Sequence, residues 1–111
     1  MRAQIESLEA RRLLAATPEL VRDINPNFNP FGESSFPEEF AAVGNTLFFA
    51  ADDGTTYHEL WKSDGTQAGT VLVKDISPGI YGFTPSYPSE LTNVGGTLFF
   101  IADNGTNGRE L

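Results

Sequence analysis

The chain has 111 residues, with seven Lys and Arg against 15 Asp and Glu, a net charge of −8 and no cysteine. This length corresponds to one small domain or to a piece of a larger one. The lack of cysteine excludes a disulfide scaffold, a Cys-ligated zinc site and a thiol nucleophile, and the acidity argues against nucleic-acid binding. No run of 18 apolar residues is present, so no transmembrane helix is predicted.

The N-terminal residues 1–17 differ in character from the rest of the chain. Residues 1–23 balance four bases with four acids, whereas residues 24–111 carry three bases and eleven acids. Ile5, Leu8 and Arg12 recur at helical spacing, which predicts a short amphipathic helix over residues 2–16, ended by Pro18. The alternative is a disordered arm. Residues 1–17 are therefore taken as one segment, of sorting type or disordered, and residues 18–111 as another.

Residues 18–111 contain an internal repeat. Residues 36–55 and 87–106 share many identities at an offset of 51, which include Val43 with Val94, Phe48 with Phe99 and Gly54 with Gly105. A second match, at an offset of 52, relates residues 21–26 to residues 73–78. So many identities at one spacing indicate a structural repeat of about 51 residues.

Each repeat is predicted to contain four short strands. In the first repeat they cover residues 39–43, 46–51, 58–63 and 70–76, and residues 20–24 match the fourth strand of a preceding unit. Gly44-Asn45 and Gly95-Gly96 predict two-residue hairpins between the first and second strands. The second strand is apolar on both faces, which is typical of a strand that lies between two layers.

This pattern predicts an all-β fold of antiparallel four-stranded blade-like repeats, as in part of a β-propeller. A β-sandwich is the alternative, although its strands more usually alternate apolar and polar residues. The chain supplies fewer than two blades, whereas propellers usually have four to eight. We therefore expect a partial or truncated repeat protein that associates with further repeats or with itself, because strand edges and apolar faces are left open.

A family resemblance rests on the segment Glu59-Leu60-Trp61-Lys62-Ser63-Asp64-Gly65-Thr66, which is followed by Gly69-Thr70 and by Val-Lys-Asp-Ile at 73–76. The segments Val-Gly-Gly-Thr-Leu-Phe-Phe at 94–100 and Ala-Asp-Asp-Gly-Thr at 51–55 belong to the same consensus. These residues resemble the ELWxxDGT repeat family over residues 20–111. The resemblance implies a large, tandemly repeated bacterial protein, secreted or attached to the cell surface, with propeller-like β structure and no established reaction.

Residues 6–16 carry a second resemblance. Leu8, Glu9, Arg11, Leu13 and Leu14 match the LEPR-XLL segment found at the start of large planctomycete-type surface proteins. Ala10 stands where that family has proline. The resemblance implies an export or surface-sorting element.

Two aromatic side chains are candidates for a functional site. Trp61 is the single tryptophan; it is predicted to pack between blades, and the alternative is a platform on which a sugar stacks. His58 is the single histidine, and it is predicted to be a solvent-facing strand residue and not a member of a catalytic triad. No catalytic, cofactor-binding or metal-binding residue is assigned.

Four aspartates lie beside glycine at predicted turns: Asp52, Asp53, Asp64 and Asp103. Carboxylates in acidic repeat proteins can bind calcium, but the spacing matches neither an EF-hand loop nor the glycine-rich nonapeptide repeat. Because the turn chemistry of Asp-Gly and Asn-Gly is a sufficient explanation, no cofactor is predicted and calcium remains the alternative.

These observations predict a non-enzymatic structural or adhesive repeat module of a secreted or cell-surface bacterial protein. Its partners would be further repeats, a second copy, or a surface glycan or protein. Two alternatives are the opening part of a carbohydrate-binding or glycan-processing propeller, and a non-functional product of a truncated gene.

Overall fold

The computed structural model describes residues 2–3, of which the backbone alone is considered, together with residues 18–27, 33–78 and 85–111. All regular secondary structure in this part of the chain is β-strand, so the all-β prediction is confirmed. The described residues include no helix of the length and apolarity needed to cross a membrane.

The first repeat forms a four-stranded antiparallel sheet. Its strands are β3 (Glu38–Val43), β4 (Thr46–Asp52), β5 (His58–Ser63) and β6 (Val71–Lys74), and they lie side by side in chain order. Each strand begins and ends within one or two residues of its prediction. The four-stranded repeat predicted from the sequence is thus present.

The second repeat forms a three-stranded antiparallel sheet from the equivalent residues. Its strands are β7 (Ser89–Val94), β8 (Thr97–Asp103) and β9 (Arg109–Glu110), again in chain order. The first strands of the two sheets, β3 and β7, lie beside each other. The repeat in the sequence is therefore a repeat in the structure.

Glycine makes the hairpin between the first two strands of each sheet possible. Gly44 and Gly95 both have φ of +59°, a left-handed conformation that glycine adopts with the least strain. The turns bring Val43 opposite Thr46 and Val94 opposite Thr97. The predicted two-residue hairpins are confirmed in both repeats.

The core lies on the first sheet. Phe49, Ala51 and Trp61 are buried on one face, where Ile24 and Leu72 pack against them. Ala50 and Leu60 are buried on the opposite face. Residues of β4 are therefore buried on both faces of the sheet. This burial explains why apolar and polar residues do not alternate along the strand, as predicted.

The region before β3 differs from its prediction. Residues 20–24 were expected to form a strand, but they are irregular. Ile24 packs on the core, and the Arg22 guanidinium donates to the Thr70 carbonyl at 3.0 Å. Side-chain contacts, and not strand pairing, hold this segment in place.

Two short strands precede this segment. They are β1 (Arg2–Ala3) and β2 (Pro18–Glu19), which pair antiparallel. The helix predicted over residues 2–16 is therefore wrong at its first two residues, because pairing with β2 holds them extended. The remainder of that helix, and the LEPR-XLL-like segment, lie outside the described residues.

Candidate functional site: the contact between the repeats

The first contact between the repeats joins their first strands, β3 and β7. The Glu39 carboxylate accepts a hydrogen bond from the Glu90 backbone N–H at 3.0 Å. The Asn93 side-chain amide donates to the Ala42 carbonyl, also at 3.0 Å. In both bonds the two residues are 51 positions apart. At these two points a residue of β3 therefore lies beside the equivalent position of β7.

The second contact is built around Glu59, whose side chain is fully buried. Its carboxylate accepts three hydrogen bonds: from the Ile76 N–H at 3.0 Å, from the Ser86 N–H at 3.2 Å and from the Ser86 hydroxyl at 2.6 Å. Glu59 lies in β5, Ile76 follows β6, and Ser86 begins the second repeat. One carboxylate thus joins the third strand, the end of the fourth strand and the next repeat.

Burial raises the pKa of the Glu59 carboxyl above its ordinary value, and the nearby charge of Asp75 raises it further. The hydrogen bonds from Ser86 and Ile76 oppose this shift because they stabilise the charged form, but the desolvation is larger. We therefore expect the stability of the contact between the repeats to depend on pH.

His58 also lies at this contact. Its side chain is 17% exposed, its Nε2 is 3.7 Å from Glu38 Oε1, and its Nδ1 is 4.0 Å from Asp52 Oδ2. The ring stacks on Tyr87 of the second repeat, with centroids 5.6 Å apart. The prediction of a solvent-facing His58 is wrong, because the loop that leads into the second repeat covers the imidazole.

The backbone of His58 holds the same loop. Its carbonyl accepts hydrogen bonds from the N–H groups of Ser86 and Tyr87, at 3.1 Å and 3.2 Å. One backbone hydrogen bond recurs in both repeats: the Asp52 N–H donates to the Ser35 carbonyl at 2.8 Å, and the Asp103 N–H donates to the Ser86 carbonyl at 2.9 Å. Ser35 and Ser86 are therefore held by the same backbone contact.

Trp61 lies in the core, where it packs with Phe49 and Ala51. The predicted packing role is confirmed. An indole that is 5% exposed offers no face on which a sugar could stack. Its Nε1–H has no hydrogen-bond acceptor among the described residues.

The aspartates beside glycine form turns, as predicted. Asp52 accepts a hydrogen bond from the Gly54 N–H, and Asp103 accepts the equivalent bond from Gly105, both at 2.7 Å. The Asp64 carboxylate accepts hydrogen bonds from the Thr66 N–H at 2.9 Å and from its hydroxyl at 2.6 Å. Within the described ranges, no three His, Cys, Asp or Glu side chains gather as a metal site would require.

The sequence analysis assigns neither Glu59 nor Ser86 to a site. A signal was nevertheless available, because Glu59 and Glu110, like Ser35 and Ser86, are identical pairs at the repeat offset of 51. The sequence could show that these residues recur, but not that they meet. Only the packed repeats bring the glutamate of one unit to the serine of the next.

Comparisons with protein-family models, with curated proteins and with solved structures find no match to this chain.

Proposed function

We propose that this chain is a non-enzymatic structural repeat module whose role is to stack blade-like β units, in a protein that is secreted or held at the cell surface. The observation that carries the proposal is the buried Glu59 carboxylate, which accepts hydrogen bonds from Ile76 of its own repeat and from Ser86 of the next. A buried carboxylate is tolerated where hydrogen bonds satisfy it.

The motif residues support this proposal because each has a structural task. In the ELWxxDGT-like segment, Glu59 joins the repeats, Leu60 and Trp61 are buried, and Asp64 closes a turn. The motif is thus explained without a substrate. The surface or secreted location rests on the resemblance of residues 6–16 to a sorting segment.

The stacking role is tested by hydrogen exchange on the 111-residue chain. The Ser86→Ala variant removes the 2.6 Å hydrogen bond to Glu59, so we expect amides of β8 to lose protection while those of β4 and β5 keep theirs. The matched control is Ser89→Ala, because the Ser89 hydroxyl bonds Arg109 within its own repeat. Equal loss of β8 protection in both variants would contradict the proposal.

The location is tested in the source organism with an antibody against the chain. We expect the antigen in the culture medium, or on intact cells in a form that added protease removes, while a cytoplasmic protein stays protected. Antigen confined to the cytoplasmic fraction would overturn the location. Binding of the purified chain to a glycan array would favour the carbohydrate-binding alternative.

A further inference from the structure

Each sheet has one face that lies in the contact between the repeats and one face that points outward. We infer that the outward faces of the two sheets join in a contact between two copies of this chain. The outward face of the second sheet in one copy would lie on the outward face of the first sheet in another. The inference rests on the proposed stacking function, which it extends from one chain to a pair of chains.

The outward face of the second sheet is apolar and exposed. Val94 is 56% exposed and Phe99 is 42% exposed. Their equivalents in the first sheet, Val43 and Phe48, are half-buried. Exposed large apolar residues at neighbouring positions are typical of an interaction surface. The second sheet therefore exposes the same face that, in the first sheet, lies in the contact between the repeats.

The outward face of the first sheet offers a fitting partner. Leu20, Phe40 and Leu47 line an open groove of about 350 Å³ there. Leu98, the equivalent of Leu47, lines a hollow with Ile76 at the contact between the repeats. Leu98 thus lies on the face of the second sheet that contacts the first repeat. Leu47 lies on the corresponding face of the first sheet.

The segment before β3 strengthens this match. Ile24 packs on Phe49 and Ala51 of the first sheet, and its equivalent at offset 52, Ile76, lines the hollow beside Phe100 and Ala102 of the second sheet. Residues 20–25 thus contact the first sheet in the way that the end of the first repeat contacts the second sheet. They correspond to the end of a preceding repeat. The remainder of that preceding repeat could come from the second sheet of another copy.

The polar groups of the contact are also repeated. Glu110 is the equivalent of Glu59, and Ser35 is the equivalent of Ser86. Among the described residues, neither the Glu110 carboxylate nor the Ser35 hydroxyl has a hydrogen-bond partner in its own chain. Stacking of two copies would bring Glu110 to Ser35 as Glu59 is brought to Ser86. Glu90 would likewise reach the Glu39 N–H, as Glu39 reaches that of Glu90.

This contact joins two different surfaces, so it is heterologous and leaves one free face at each end of a pair. Sedimentation velocity on the 111-residue chain tests it with two blocking variants. Phe99→Glu blocks the second sheet and Leu47→Glu blocks the first. Gln67→Glu, which adds the same charge at an exposed turn, is the control.

We expect the mass of the wild-type chain and of the control to rise above 12.1 kDa with concentration, and each blocking variant alone to stay monomeric. An equimolar mixture of the two variants should form one-to-one dimers and nothing larger, because each supplies the face that the other lacks. Far-UV circular dichroism and Trp61 fluorescence identify variants that keep the fold.

Three results would overturn the inference: a wild-type chain that is monomeric throughout, a folded blocking variant that still dimerises by itself, and a mixture of folded variants that stays monomeric. Glu110→Gln and Ser35→Ala provide milder variants, each expected to weaken association several-fold. A wild-type chain that stays monomeric, while Ser86→Ala still lowers the exchange protection of β8, would refute this inference and leave the proposed function standing. Failure of the Ser86→Ala exchange test would instead contradict the proposed function.

Discussion

At the residue scale, Glu59 is the most informative side chain of the molecule. Its carboxylate is fully buried, yet it accepts hydrogen bonds from three donors on two residues. A buried donor that loses its acceptor costs about 1–3 kcal/mol, which is more than a typical hydrogen bond contributes to net stability. The free-energy cost of replacing Glu59 is consequently determined by the buried donors of Ile76 and Ser86 that lose their acceptor.

Glu59→Gln is expected to lower the free energy of unfolding by about 1–3 kcal/mol, because the amide NH₂ faces a donor that the carboxylate satisfied. Urea denaturation followed by Trp61 fluorescence measures the loss. Glu38→Gln is the control, since Glu38 is exposed and its 3.7 Å contact with His58 Nε2 is worth at most about 1 kcal/mol. Equal effects of the two changes would contradict a special role for Glu59.

The raised pKa of Glu59 also predicts a pH dependence. A carboxyl whose pKa is higher in the folded chain than in the unfolded one contributes most stability below the ordinary value of 4.5. This contribution decreases as the pH rises through the interval between the unfolded and the folded pKa. The stability difference between the wild type and Glu59→Gln should therefore narrow from pH 4 towards neutrality in urea titrations. A difference that widens with pH would mean that the pKa is lowered.

At the element scale, the hairpins and the second strand of each repeat determine the architecture. The turn at Gly44 needs a left-handed backbone, and nothing lies within 4 Å of the point where a Cβ would be added. The demand at this position is therefore conformational and not steric. The second strand, by contrast, depends on burial, since Phe49, Ala50 and Ala51 are all covered.

Substitutions at Gly44 should separate these two demands. Gly44→Ala is expected to cost about 1–2 kcal/mol, because an L side chain disfavours φ of +59°. Gly44→Asn should cost less, although its side chain is larger, because asparagine tolerates this conformation. Thermal unfolding followed by circular dichroism ranks the variants. A lower melting temperature for Asn than for Ala would show that size matters more than backbone conformation.

Truncation of phenylalanine should depend on its position in the sheet. Phe49→Ala is expected to cost about 3–5 kcal/mol, because it removes a ring that is 5% exposed and leaves a cavity. Phe36→Ala, at a residue that is 63% exposed, should change stability by about 0.5 kcal/mol or less. Urea denaturation of both variants provides the comparison, and similar losses would place the core elsewhere.

At the scale of the whole molecule, two kinds of contact connect one repeat to the next. Glu39 and Glu90 are equivalent positions that lie beside each other, whereas Glu59 and Ser86 are different positions that meet. In repeat proteins, stability is approximately a sum of terms within each unit and terms between neighbours. The second sheet has three strands, and the buried hydrophobic core residues of the described part of the chain all lie in the first sheet. The second sheet should therefore depend strongly on its contact with the first.

We expect the chain to need no metal ion for its stability. The turn aspartates use their carboxylates to accept backbone hydrogen bonds, as Asp52 does from Gly54. Adding EDTA or calcium should therefore leave the melting temperature unchanged in a scanning calorimetry experiment. A fall of several degrees with EDTA, reversed by calcium, would support the calcium alternative.

The sequence by itself determined the local structure of this protein. The apolar second strands, the turn dipeptides Gly44-Asn45 and Gly95-Gly96, and the identities at an offset of 51 are all readable along the chain, so they predicted the strands of both sheets. The tertiary structure alone decided where His58 lies, why residues 20–24 are irregular, and that Glu59 is buried against Ser86. These outcomes depend on groups far apart in the chain that meet only after the sheets pack. A sequence pattern can mark such residues, but it carries no information on which of them come into contact.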